Sequence, residues 1–211
     1  MSHYSVLVLH TEKPADPEEA TAALLARYAE NREVPRYIEA TRDQALATAR
    51  ADIEKIRDGQ YAEFLADPES YRRGVSNPRH MEYISETFPN ERLPLLEDED
   101  ALWKHVCRYD DPEDRDADGN LWSTYNPESK WDWWVIGGRW NDNVIAGNIG
   151  PIVSLKKRTF AVITPDGEWH ESGRMGWFGM VSNENPNWDA QFDELVAQHP
   201  AAYAVVVDVH I

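Results

Sequence analysis

Four tryptophans lie within ten residues of one another in the segment YNPESKWDWWVIGGRW, which spans Tyr125 to Trp140. Leucine and valine fill a core more simply than tryptophan, because each buried indole N–H needs a hydrogen-bond partner. Charged and amide side chains are interspersed among the indoles. This composition favours an aromatic pocket for a flat ligand such as a nucleobase. The predicted ligand-binding residues are Tyr125, Asn126, Lys130, Asp132, Trp133, Trp134, Arg139, Trp140 and, from a later loop, Trp177.

Strand geometry would divide this segment into two faces, because successive side chains of a strand point to opposite sides of the sheet. The faces predicted for residues 130–136 are Lys130, Asp132 and Trp134 on one side, and Trp131, Trp133 and Val135 on the other. Gly137 and Gly138 would let the backbone turn or approach a ligand closely. Arg139 could bind a phosphate or carboxylate with two parallel hydrogen bonds. The alternative is a tryptophan-rich core in which Asp132 and Arg139 form a salt bridge, and both interpretations stay open.

Histidine beside a carboxylate can act as a general acid or base or bind a metal. Asp208 and His210 stand two residues apart in the segment VVVDVHI, so both would project from one face of a strand. A carboxylate among valines costs stability unless it is paired. If this strand lies antiparallel to the first one, His210 lies nearer His3 than His10. The predicted catalytic residues are His210, Asp208 and His170, although each histidine could instead be structural or at the surface.

Motifs for metals and common cofactors are weak or missing. The chain has no HxH, HExxH or CxxC spacing, and no P-loop, GxGxxG or GxSxG motif, so no metal site is predicted. The acids Asp114, Asp116 and Asp118 have the spacing of a calcium loop, but Tyr125 stands where a bidentate glutamate is needed. We therefore expect no calcium there and no other cofactor. Asp118-Gly119-Asn120 is interpreted as a type I′ hairpin turn.

Local signals predict the elements that must position these residues. An aspartate before Pro17 and the pair Thr41/Gln44 are typical of helix starts. Prolines between residues 67 and 98 predict an irregular segment. The predicted elements are a strand over Ser5–His10, helices from Asp16 to about Glu30 and from Thr41 to Gly59, short helices over Tyr61–Ala66 and Asp100–Tyr109, a hairpin over Thr159–Glu171, a helix over Asn187–His199 and a strand over Ala204–Ile211.

This order of elements predicts an α+β fold. The simplest architecture is a ferredoxin-like βαββαβ sheet with helices on one face. We expect a single domain over residues 1–211, with an acidic insertion of helical and irregular structure at about residues 60–120.

Composition excludes some classes of function. The 38 acidic and 21 basic residues give a net charge of −17, which argues against direct binding to nucleic acid. No apolar run is long enough to span a membrane. The single cysteine, Cys107, fits a reducing cytoplasm. Much of the acid lies between Glu86 and Glu128; it could simply keep the protein soluble, or it could form a face for a basic partner.

Three stretches carry a resemblance: DADGNLWSTYNPESKWDWWVIGGRW, TPDGEWHESGRMGWFGM and VVVDVHI. Together they resemble a family of proteins found in tailed bacteriophages and bacterial prophages, over roughly residues 116–211. In that family the last strand often has cysteine where this chain has Val209. The resemblance implies a phage or prophage origin and a setting in the host cytoplasm. It implies no reaction.

Two functions are predicted. The first is a phage-type accessory protein whose tryptophan-rich pocket binds or hydrolyses a small nucleotide-like ligand. The second is a non-enzymatic acidic protein that binds and inhibits a host protein through the segment Glu86 to Glu128. The sequence gives neither the ligand nor the oligomeric state.

Overall fold

The computed structural model of the chain describes residues 2–109 and 111–211, with all of their side chains except that of Trp177. The strands are β1 (His3–His10), β2 (Tyr37–Ala40), β3 (Leu121–Ser123), β4 (Trp133–Ile136), β5 (Ile149–Pro151), β6 (Ala161–Ile163), β7 (Trp169–Glu171), β8 (Arg174–Met175), β9 (Val181–Ser182) and β10 (Tyr203–His210). The α-helices are α1 (Pro17–Leu25), α2 (Arg42–Ile56), α3 (Ala62–Ala66), α4 (Pro68–Gly74), α5 (Pro78–Glu82), α6 (Glu99–Val106) and α7 (Trp188–Gln198). Two π-helical segments cover Arg57–Tyr61 and Tyr83–Arg92.

The chain forms two compact units. The first consists of Met1–Val34 together with Tyr125–Ile211, and the second is Pro35–Thr124. Both units combine helices and strands, so the fold is mixed α/β. The single domain with an insertion at about residues 60–120 stays a prediction. No helix in the described part of the chain has the length and apolar content that a membrane span requires.

A mixed sheet forms the centre of the first unit. Its strands follow the order β4-β10-β1-β6-β7, and β5 pairs with the other end of β10. β10 runs antiparallel to β1, with His3 opposite His210 and His10 opposite Tyr203, whereas β6 runs parallel to β1. The prediction that His210 lies nearer His3 than His10 is confirmed.

Helices cover both faces of this sheet. Val6 and Val8 belong to a core with Leu25 of α1, whereas Leu7 belongs to a core with Phe192 of α7. The prediction of helices on one face is therefore wrong. The physical reason is that β1 and β10 are apolar at consecutive positions, and such strands bury both faces.

Helix starts and the long hairpin agree with the sequence. The Asp16 carboxylate accepts hydrogen bonds from the N–H groups of Glu18 and Glu19 at the start of α1. Both halves of the Thr41/Gln44 capping box are present at the start of α2. The hairpin of β6 and β7 turns through a glycine, residue 167, with a φ of 86°.

The second unit is helical where an irregular segment was expected. Pro68 and Pro78 lie in the first turns of α4 and α5, where a missing N–H costs nothing, whereas Pro89 lies inside a helical segment. Gly59, expected to end α2, lies within the π-helical turn that joins α2 to α3. The core of this unit consists of Leu46, Ile53, Phe88 and Leu102 with partly buried neighbours.

Candidate functional site

A histidine–carboxylate pair joins β1 to β10. The Asp208 carboxylate is buried, and its Oδ1 lies 3.0 Å from Nδ1 of His3. Its Oδ2 accepts a hydrogen bond of 2.9 Å from the backbone N–H of Arg139. An ionised Asp208 carboxylate only accepts hydrogen bonds, so in that state Nδ1 of His3 donates the hydrogen bond and Nε2 is the unprotonated nitrogen. The sequence predicted that Asp208, a carboxylate in a strand of valines, needs a partner. That partner is His3.

A second pair of the same kind lies beside the first. Nδ1 of His210 lies 2.6 Å from Oδ1 of Asp132, and the rings of His3 and His210 meet edge to face with centroids 4.9 Å apart. Nε2 of His210 is covered by protein and has no hydrogen-bond partner among the described residues. His3 keeps 14% of its side chain exposed, and its Nε2 is not covered in this way. The nitrogen that a ligand can reach first is therefore Nε2 of His3.

An exposed indole borders these pairs. Trp133 is opposite His210 in the β4–β10 pairing, the residue is 51% exposed, and its ring lies 6.3 Å from that of His3. Val135, opposite Asp208, shares this open face. Trp133, Val135, His3, Asp208 and His210 thus form one surface at the end of the sheet, which we call the histidine face.

The alternation predicted for residues 130–136 holds only within β4. Trp134 and Ile136 pack into the core on the other side of the sheet, as alternation with Trp133 requires. Trp131 packs into that same core, so the prediction that it shares a face with Trp133 is wrong. The reason is that β4 begins at Trp133, and a bend at Asp132 breaks the alternation before it.

The two glycines bring backbone close to Asp208. A Cβ on Gly138 would lie 2.4 Å from Cβ of Asp208, and a Cβ on Gly137 would lie 2.4 Å from Nδ2 of Asn148. The predicted close approach therefore serves a carboxylate of the chain itself. The proposed salt bridge between Asp132 and Arg139 does not form. Asp132 binds His210 instead, and the Arg139 side chain is exposed.

Several predicted ligand-binding residues have structural partners. Asn126 is buried and donates to the carbonyls of Arg27 and Ala29. Lys130 binds Glu171, with 2.7 Å between Nζ and Oε1. Trp140 packs against the core beside α7. These side chains have structural partners within the first unit, so the tryptophan-rich segment contributes Trp133 and Val135 to the histidine face. Asp132 and the Arg139 backbone act as hydrogen-bond partners of His210 and Asp208.

The remaining predicted residues do not lie at the histidine face, or they fall outside the part of the chain that the structure describes. His170 is on β7, opposite Val162, and β7 is separated from β10 by β1 and β6, which is about 14 Å at the usual strand spacing. The hydrogen bond from Thr164 is the main cause that lowers the pKa of Asp166, and His170 is the smallest contributor to that shift. Tyr125 is half exposed and donates to Ser129. The side chain of Trp177 lies outside the described part of the structure.

The acidic loop of the second unit is organised by its own hydrogen bonds. Asp116 accepts from the N–H groups of Asp118 and Asn120 and from the side chains of Asn120 and Trp122. These bonds, the Trp122 indole first, lower the pKa of Asp116 to about 2. Gly119 alone in this turn has a positive φ, so the turn is not the predicted type I′, which needs two such residues.

Part of the acid between Glu86 and Glu128 is also engaged. Glu99 binds Arg42 and Arg50 at 3.0 and 3.1 Å, and Asp98 caps α6. Asp110, which opens the second acidic run, lies outside the described residues. These bonds reduce the free negative charge that a basic partner could meet in this segment.

Sequence reasoning missed His3 as a site residue. The signal was present, because the strand register that brings His210 to His3 also places Ser5 opposite Asp208 and hence His3 diagonally across from it. Asp208 and His210 were predicted and do lie together, but His170 does not join them.

No protein-family model matches the chain, and neither a curated protein nor a solved structure matches it. The proposals that follow rest on the geometry of the described residues.

Proposed function

We propose that the chain binds a small nucleotide-like ligand at the histidine face and hydrolyses it, with His3 as general base. One observation carries this proposal. Asp208 holds Nδ1 of His3, which leaves Nε2 as an accessible base beside the exposed Trp133 ring.

Four residues at or beside the face then have roles in the reaction. The indole of Trp133 stacks against the base of the ligand. Nε2 of His3 accepts a proton from an attacking water and returns it to the leaving oxygen, so no proton is gained or lost overall. Asp208 keeps His3 in the required tautomer, as a buried carboxylate does in other histidine-based sites. The exposed guanidinium of Arg139 attracts the anionic end of the ligand.

Tryptophan fluorescence and product analysis test this proposal. We expect at least one nucleotide of a panel to change the fluorescence saturably and to be hydrolysed by the intact protein. Trp133→Ala should weaken binding, and His3→Gln should lower the rate by about 100-fold or more with the fold intact. His170→Gln, which removes a histidine three strands away, is the matched control and should leave both unchanged. Flat titrations across the whole panel would rule the proposal out.

The origin and setting of the protein are also proposals. The motif resemblance supports a phage-type accessory protein in a host cytoplasm. An inhibitor that binds a host protein through its acidic segment is the second candidate, supported by the net charge of −17. A pull-down from host lysate at low and high salt tests that candidate, because screening by salt should release a partner held by charge.

For the fold, we propose a distant relationship to the ferredoxin-like arrangement. The support is the central strand β1, which has an antiparallel neighbour, β10, and a parallel neighbour, β6.

A further inference from the structure

Two arginines and a histidine converge in the second unit. Nη1 of Arg92, at the end of the π-helical segment Tyr83–Arg92, lies 2.8 Å from Nε2 of His105 on α6. Nη1 of Arg108 lies 2.8 Å from the same nitrogen. Two guanidinium groups are therefore held around one imidazole.

The positive charge of this cluster has no counter-charge in direct contact. Arg42, Arg50 and Arg57 of the same unit each bind a carboxylate. Within residues 2–109 and 111–211, Arg92 and Arg108 form no ion pair. Burial, followed by the charges of the two arginines, lowers the pKa of His105, so the imidazole is neutral at pH 7 and offers a single acceptor nitrogen to the two guanidinium groups, whose charge it leaves unchanged.

A cavity opens at this cluster. Its volume is about 330 Å³, within the range of small-molecule sites. Besides the three basic side chains, its walls include Ile53 and Ile56 of α2, Tyr83, and one acid, Asp52. Two arginines against one aspartate leave the cavity with a net positive charge in a chain of net charge −17. A cavity with one cationic end and one apolar wall suits a ligand that has an oxyanion and a small apolar body.

We propose that this cavity binds a small phosphate monoester. Arg92 and Arg108 hold its phosphoryl oxygens through charge-assisted hydrogen bonds, and its organic part lies against Ile53, Ile56 and Tyr83. The phosphoryl group supplies the negative charge that the two guanidinium groups lack. The apolar wall favours an ester over free phosphate, because only the ester has an organic part that can pack against it. The proposal does not depend on the histidine face, whose residues belong to the first unit.

Isothermal titration with phenylphosphonate, a monoester analogue that cannot be hydrolysed, tests the site in the intact protein. We expect one molecule to bind per chain, about tenfold more tightly than inorganic phosphate at the same ionic strength, because the phenyl ring adds apolar contact. Arg92→Gln and Arg108→Gln should each weaken binding by about tenfold or more. Arg72→Gln, at an exposed position of α4, makes the same change of charge and should have no effect.

Two further variants keep the test decisive. Asp52→Asn should tighten binding, since it removes the negative charge from the cavity wall, and this gain cannot result from misfolding. His3→Gln should bind phenylphosphonate normally, which separates this site from the proposed hydrolytic one. No heat of binding at millimolar phenylphosphonate, equal affinity for both probes, or equal loss in Arg72→Gln would each overturn the proposal.

Discussion

Asp208 shows how one residue can organise a site. It is a buried carboxylate in a strand of valines, and such a group is costly unless its oxygens are satisfied. Both oxygens are used, one by His3 and one by the N–H of Arg139. The second bond is available only because Gly138 has no side chain, which lets the turn after β4 lie against the carboxylate. A glycine therefore determines the position of Asp208, and through it the orientation of His3.

Gly138→Ala should destabilise the protein by more than the cost of placing alanine at a positive φ. The φ of Gly138 is 52°, which costs an L-residue about 1–2 kcal/mol, and its Cβ would overlap Asp208, which adds about 1–3 kcal/mol. Gly147→Ala is the matched control, because its φ of 71° carries the first cost but its Cβ would meet open space. Urea unfolding measures both changes. Equal losses in the two variants would show that the approach to Asp208 is not tight.

At the scale of elements, the segment before β4 is hydrogen-bonded to the end of α1 and to the residues just after it. Asn126 donates to the carbonyls of Arg27 and Ala29, and the N–H of Lys130 donates to the carbonyl of Tyr28. The Trp131 indole donates to the carbonyl of Leu25. These bonds satisfy carbonyls that the helix end would leave unpaired. They also determine where β4 begins, and hence that Trp133 is exposed.

Asn126→Ala should lower the free energy of unfolding by about 1–3 kcal/mol, because it removes two hydrogen bonds of a buried amide, while Arg32 still donates to both carbonyls. The proposed ligand binding at the histidine face should change little once the variant is folded. Asn187→Ala, whose side chain makes no capping bond at α7, should cost far less and serves as the control. Chemical denaturation gives the comparison. If the free energy of ligand binding fell by more than the free energy of unfolding, Asn126 would have to contact the ligand directly.

At the scale of the whole molecule, pH acts on stability through a few buried groups. His10, at the end of β1, is half buried and lies 3.3 Å from the hydroxyl of Thr21. Burial lowers its pKa below the usual 6.5. As the pH falls below 6.5, the unfolded chain therefore binds more protons at this residue than the folded protein does. The contribution of His10 to stability is present above pH 6.5 and is lost toward acid.

His10→Gln should accordingly reduce the fall in unfolding free energy below pH 6.5, because glutamine cannot be protonated in this range but can still bond to Thr21. The measurement is the urea midpoint at several pH values above and below 6.5. His199→Gln controls for the loss of a histidine. A variant that follows the wild-type pH profile would mean that His10 is as well solvated in the folded protein as in the unfolded chain.

The sequence correctly predicted the features that depend on residues close together in the chain. The Asp16 and Thr41 caps and the turn at Gly167 depend on residues a few positions apart, and they were predicted correctly. The face of Trp131 was not, because it depends on bonds to α1, about 100 residues earlier in the chain. The role of His3 was missed for the same reason. Prolines misled the prediction because the same residue breaks a helix in its interior and begins one at its first turn.

His3 and Asp208 are 205 positions apart, which has a consequence for biosynthesis. A ribosome that adds about 5–20 residues per second needs roughly 10–40 s to make the second residue of the pair after the first. During that time β1, apolar on both faces, has no β10 to cover it. The nascent chain therefore exposes an aggregation-prone strand, and a chaperone that binds extended apolar segments would have its main target there. His3 and Asp208 meet only when translation has passed residue 208.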